Sequence, residues 1–346
     1  MSSLKNIFRQ AQEFFRPATW EPKLVEDKEN ASPQPDASAS REIFAACLTS
    51  PTPYAFRYLI QKAPHLHDYV LWQGQKPVSP WQQRMAGAVG VLSSSPEFGF
   101  RNNLKSLPTF WMFEHDTLSD GYQATKSYIP SSVDMETGAY WNESHTVAVP
   151  ASNSDARNAA FLAHELRHAE QELAKLAPTY KQTPATSVEM SLALEADAMA
   201  YALRVLWTIP DKFWRESILL FPTKDSASAP LVKAFSAVME HAPTNEPLRR
   251  DILDRATENA LRAFYEAPVA KMYVAIYLSL AQKMEQAGDT GSEEIPSDFY
   301  KKLVLTADGH PYAADSEIPN LAQQTIKRSL RDFSAQKGRG TSLHTL

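Results

Sequence analysis

The sequence contains a single cysteine, Cys47. One thiol excludes an intrachain disulfide framework and every cysteine-based zinc site, so a metal here would be held by histidine and carboxylate ligands. Cys47 has no activating pattern near it and reads as an inert buried side chain. There is also no uninterrupted apolar run of the roughly 18 residues that a membrane-spanning helix needs. A secretory signal is missing too, because Lys5, Asn6, Arg9, Gln10, Gln12 and Glu13 break up each short hydrophobic run at the start. A soluble, cytoplasmic protein is expected, and signal-independent secretion would leave the same trace. Positive charge is not in excess: 35 Lys and Arg stand against 40 Asp and Glu, a formal net charge of -5. Nucleic acid and anionic lipid are therefore not expected as electrostatic partners. No internal repeat of fixed period is found.

What is present is an ordinary globular composition, 43% hydrophobic and 22% charged, in 346 residues. That length can bury one large core or two modest ones. Residues 1–16 place Leu4, Ile7, Phe8, Ala11, Phe14 and Phe15 at helical spacing. They form an amphipathic helix that either packs back on the protein or docks to a partner or membrane surface. Residues 17–40, rich in Pro, Ser and charge, read as a disordered linker. A body is expected over 41–210, beginning with several short helices broken by prolines. From about Pro108 the signal turns to β: PTFWMF (108–113), YQATKSYI (122–129) and SHTVAV (144–149) are rich in β-branched and aromatic residues and separated by Asp120-Gly121 and Thr137-Gly138. After Pro150 the pattern is helical, over about 155–176, 187–208, 212–220, 229–241, 246–265, 268–287 and 318–334. A helical C-terminal subdomain is thus expected over 211–334, with a frayed tail at 335–346. The fold class expected is α+β, predominantly helical, with a small, mainly antiparallel sheet.

The first of those helices, capped by Ser152, Asn153 or Ser154, carries FLAHELRHAEQ, in which His164, Glu165 and His168 make H-E-x-x-H. Positions i and i+4 share one helical face, so both imidazoles can reach one ion. Zinc suits two neutral imidazole nitrogens and a carboxylate, and it leaves a position for water. Glu165, beside the first ligand, can take a proton from that water. By composition such a motif arises by chance in about two of a hundred sequences of this kind, so its surroundings decide. Here a strand, His145 to Val149, runs directly into the capped helix. The competing reading makes His164 and His168 ordinary histidines on an amphipathic helix.

The third ligand is sought on the next helix, SVEMSLALEADAMAYALRVL, which offers Glu189, Glu195 and Asp197. Residues 195 and 197 point roughly 200° apart and cannot both face one ion. Glu195 shares a stripe with Leu192, Met199, Ala202, Leu203 and Leu206. A lone carboxylate on a buried stripe needs a cation, so Glu195 is preferred. Asp197 remains the alternative, otherwise a residue behind the ligands or on the surface, and Glu189 comes third.

HELRHAEQ followed by LEADAMA resembles the gluzincin-like zinc peptidases, and more closely the bacterial "putative metallopeptidase" domain family, over about residues 138–208. The resemblance implies a zincin-like sheet packed on the H-E-x-x-H helix. It also implies His164, His168 and Glu195 as ligands of one zinc ion per chain, Glu165 as general base, and a peptide or protein substrate bound along an edge strand. Two departures stand out. Met199 occupies the place where thermolysin-like enzymes carry an Asp that orients the first His, and no oxyanion stabiliser is marked among Tyr140, His145, Tyr180 and Tyr201. The metzincin continuation is excluded by Gln171 and Ala174. The alternative function is a non-catalytic zinc-binding, regulatory or interaction protein with a vestigial site. A closed structural site would recruit His145 or Asp155 as fourth ligand. Glu170 and Glu172 read as the solvated side of the metal helix, Trp72, Trp81, Trp111 and Trp141 as core, and His65 and His67 as structural or exposed.

Overall fold

Short segments rich in β-branched and aromatic residues pair into one small sheet, and long amphipathic segments stack beside it. The computed structural model describes residues 70–71, 76–102, 106–113, 139–141, 145–151, 153–179, 181–211, 227–242, 249–286 and 291–338. The expected N-terminal helix and linker, the strand at 122–129, the helix at 212–220, Cys47, His65, His67, Trp72, Tyr180 and most of the tail lie outside the described residues, as does the Trp141 side chain.

The sheet contains β1 (Val70–Leu71), β2 (Thr109–Phe113), β3 (Ala139–Trp141) and β4 (Thr146–Pro150), in the order β1-β2-β4-β3. β2 and β4 run parallel, with Phe110 opposite Val147 and Trp111 opposite Ala148. β1 joins β2, and β3 joins β4, antiparallel. The expected mainly antiparallel sheet is thus corrected to a mixed one with a parallel centre. Turn residues between β-type segments favour antiparallel neighbours. Instead the chain crosses from β2 to the far edge, forms β3, and returns as β4 beside β2, which a tight turn cannot do for parallel neighbours. β4 is buried at every residue from Thr146 to Pro150, as expected of an interior strand covered on both faces. Among the described residues it is an interior strand, and β3 is the edge nearest the helix that follows β4.

The helices are α1 (Pro80–Ser93), α2 (Asp155–Leu173), α3 (Pro184–Trp207), α4 (Ala229–Met239), α5 (Arg250–Glu266), α6 (Pro268–Gln286), α7 (Phe299–Leu303) and α8 (Ile318–Gly338). Ser154 caps α2 by accepting from the Arg157 N–H, and Thr183 caps α3 by accepting from Thr186, with Pro184 in the first turn where its missing N–H costs nothing. α2 packs on β3, β4 and α3, whereas α3 is also covered by α5, α6 and α8. α3 is consequently buried on nearly all faces. Leu192, Leu203 and Leu206 are fully enclosed, and truncating any one to Ala would cost about 2–5 kcal/mol. One connected apolar cluster runs from Val147 in the sheet through Leu203 to Phe264 in α5 and Ile326 in α8. Among the described residues no helix is long and apolar enough to cross a membrane.

Candidate metal centre

A helix buried all round must satisfy each polar group it carries, and α3 carries Glu189, Glu195, Asp197 and Arg204, all buried. Arg204 is held by Glu97 at 2.7 Å and Asp254 at 2.6 Å. Glu189 accepts from Tyr300 Oη at 2.7 Å and from Gln323 Nε2. These two anchors bind α3 to its neighbours and stand apart from the histidines.

Glu195 is different. Its Oε2 lies 3.3 Å from His164 Nε2 and 3.4 Å from His168 Nε2, and the two Nε2 atoms are 3.1 Å apart. The rings meet edge to face with centroids 4.7 Å apart, as the i and i+4 positions of α2 dictate. Oε2 is buried without a hydrogen bond. Three donor atoms therefore converge in a triangle with sides of 3.1–3.4 Å. Tetrahedral bonds of about 2.0–2.1 Å place ligand atoms about 3.3–3.4 Å apart, so the triangle and the unpaired oxygen both fit a zinc-sized ion. Glu165 is buried beside them, its Oε1 4.0 Å from His164 Nε2.

Burial pushes the Glu165 carboxyl up from its ordinary value, against the lowering pull of the two imidazoles. Burial likewise opposes charge on His168, but the Glu195 carboxylate outweighs it and holds the ring at about 9. Glu195 is itself held far below the usual carboxylate range, because the imidazoles outweigh its own burial.

A family model with the description "Putative metallopeptidase family (DUF6782)" matches residues 104–314, more than half of the chain. The protein belongs to this putative metallopeptidase family. No curated protein and no solved structure matches it. The matched span of this metallopeptidase-family chain includes all of α2, α3 and α6, and so every residue of the cluster.

Behind the cluster lies a second, closed network. Asp197, fully buried, accepts from Arg167 Nε at 2.8 Å and Nη2 at 3.2 Å, from Gln171 Nε2 at 2.6 Å, and from Tyr312 Oη at 2.5 Å. Arg167 also reaches Glu170 at 2.8 Å and the carbonyls of Leu303 and Leu305 at 3.0 and 2.9 Å, and stacks 4.0 Å from the centroid of Tyr201. Glu170 in turn lies against Gly99, where a Cβ would collide with its carboxylate. Gln171 joins the two networks, since its Oε1 sits 2.8 Å from His168 Nδ1 while its amide donates to Asp197. In the neutral ring, with Nδ1–H donated to Gln171, the Nε2 lone pair of His168 is the one that faces the cluster. His164 Nδ1 has no such partner and is buried without a hydrogen bond, in keeping with Met199 standing where an orienting Asp is found in thermolysin-like enzymes.

The other sequence candidates fall elsewhere. Neither Glu189 nor Asp197 joins the converging atoms. Asp155 pairs with Arg84 at 2.7 Å at the start of α2. Tyr140, His145 and Glu172 form their own group: Tyr140 Oη lies 2.7 Å from His145 Nδ1 and donates to Glu172, while His145 Nε2 sits 3.0 Å from the Ser106 carbonyl. Tyr201 is structural, donating to the Glu97 carbonyl and accepting from Ala307 N–H. Glu170 and Glu172 are corrected from solvated to partly buried and paired, because α2 is clasped on more than one side. Trp111 is core, but Trp81 is only partly buried, with Arg84 over its ring. Sequence reasoning missed Tyr277, whose hydroxyl donates to Glu195 Oε1 across 82 positions. No local pattern could have supplied it. Gln171 was legible in principle, three residues beyond His168 on the same face.

Proposed function

We propose that the protein is a zinc-dependent metallopeptidase in which His164, His168 and Glu195 hold the ion and Glu165 is the general base. The observation that carries this is the triangle of three donor atoms with the buried, unpaired Glu195 oxygen at one corner. Zinc, when bound, supplies Lewis acidity that acidifies water and polarises a carbonyl. Glu165 does the proton work: its buried carboxyl, raised above its ordinary value, takes the proton from attacking water and delivers it to the departing amine. Raised basicity is what that double duty needs. β3, the outermost strand beside α2 among the described residues, offers backbone groups with which an extended peptide would pair.

The non-catalytic reading needs a fourth protein ligand to close the site. His145 and Asp155, the sequence candidates, are engaged elsewhere, and the described residues bring no fourth His or carboxylate to the three. Glu165, adjacent yet not converging, has a role only in the enzyme reading.

The test is zinc content of the purified full chain by plasma mass spectrometry, together with cleavage of a peptide library. About one zinc per chain is expected, lost in His164→Ala and Glu195→Ala. Glu165→Gln should keep the metal and lose about 10²–10⁴-fold in hydrolysis. A metal-replete wild type without zinc would sink the assignment, and an undiminished Glu165→Gln would remove Glu165 from the chemistry.

A further inference from the structure

α3 carries two buried glutamates that each receive a tyrosine hydroxyl from a distant element, and the pair forms a natural control. At Glu189, Tyr300 donates to Oε1 and Gln323 reaches Oε2 at 3.3 Å, so both oxygens are occupied. At Glu195, Tyr277 donates to Oε1, while Oε2 is left buried, without a hydrogen bond, and aimed at His164 and His168. A carboxylate offers about four lone-pair sites and its terminal torsion is soft. Left free, it can rotate, or chelate an ion with both oxygens.

We infer that Tyr277 is a positioning residue for the metal ligand: it ties down one oxygen of Glu195 so that the other is presented alone to the ion. This rests on the reading of His164, His168 and Glu195 as the ligand set. The tyrosine is itself fixed. Its ring stacks on Tyr273 at 6.0 Å between centroids and 14° between planes, one helical turn earlier on α6. α6 in turn packs along α3. The two-helix motif therefore gives an incomplete site. Docking of α6 finishes it, and zinc affinity should depend on the Tyr277 hydroxyl, which is not itself one of the three converging groups.

The experiment measures zinc dissociation constants of the full chain by competition with a chromophoric chelator, for wild type, Tyr277→Phe and Tyr300→Phe. Thermal unfolding of the metal-free proteins and visible absorption of their cobalt forms accompany it. Tyr277→Phe keeps the ring and its stacking and is expected to weaken zinc about 10–100-fold. Its cobalt spectrum should lose intensity as the released carboxylate chelates and raises the coordination number. Tyr300→Phe removes the same kind of bond from the same helix and should bind zinc like wild type, even where its unfolding temperature falls as far. Wild-type affinity in Tyr277→Phe would overturn the inference while leaving the ligand set intact. Equal weakening in both variants would overturn it too, since general loosening of α3 would then be the cause. Wild-type protein that binds no zinc would remove the ligand set itself, and the inference with it.

Discussion

Glu195 and Asp197 lie two residues apart on α3, both buried, and their surroundings are opposite. Asp197 meets Arg167, Gln171 and Tyr312, so its charge is neutralised and its oxygens are occupied. Glu195 has one oxygen on Tyr277 and the other facing two imidazoles without a hydrogen bond. A buried ionic network that is fully satisfied serves to hold elements together; one left partly open is costly unless something else completes it. The contrast separates architecture from chemistry within two residues. Asp197 binds α2, α3 and the segment after α7, whereas Glu195 turns a buried oxygen toward two imidazoles, as the proposed metal site requires.

Stability gives the largest test of that contrast. Asp197→Asn should destabilise the metal-free protein by about 3 kcal/mol, because it leaves the buried Arg167, which cannot shed its charge, with Glu170 as its remaining carboxylate partner. Glu195→Gln should cost less, since an imidazole can release its proton instead. Denaturant melts of both variants check this, and a greater loss in Glu195→Gln would break the comparison.

The bridge between the two networks comes next. Gln171→Ala removes the acceptor on His168 Nδ1 and should weaken zinc by about 10–100-fold. Unchanged affinity by chelator competition would mean that the closed network has no bearing on the site.

The smallest effect is expected at the far end of α2. Burial raises the Glu172 carboxyl to about 7, above its ordinary 4.5, beside Tyr140 and His145. A carboxyl with a raised folded value contributes stability that is full below about 4.5 and is lost as pH rises through about 7. Glu172→Gln, which mimics the protonated form, should match wild type at low pH. It should exceed wild type by about 1 kcal/mol at high pH, allowing for screening at a side chain one-third exposed. Thermal melts across that range check it; parallel curves would show that Glu172 does not titrate with folding.

The legible parts of the molecule are those governed by near neighbours in the chain. Helical periodicity located α2, α3, α5 and α6 to within a few residues, and the i, i+4 spacing put His164 and His168 on one face before any fold was known. The burial stripe of α3 singled out Glu195 over Asp197 as the carboxylate facing them, although it left Asp197 as either surface or support when it is fully buried. The expected mainly antiparallel sheet proved mixed, because the parallel pairing of β2 with β4 is set by a crossover that local turn residues do not report.

By itself, then, the sequence determined that a metal would be bound by nitrogen and oxygen, which helix face carries the histidines, and, to within about a turn, where the carboxylate-bearing helix lies. Those are consequences of residue type and helical pitch, which act over a turn or two. Only tertiary structure decided that Tyr277 from α6 takes one Glu195 oxygen, that Tyr312 and Arg167 close the Asp197 network, and that β4 lies parallel to β2 inside the sheet. These partners meet across tens of residues, through packing of whole elements, and no local spacing encodes which hydroxyl arrives at which carboxylate.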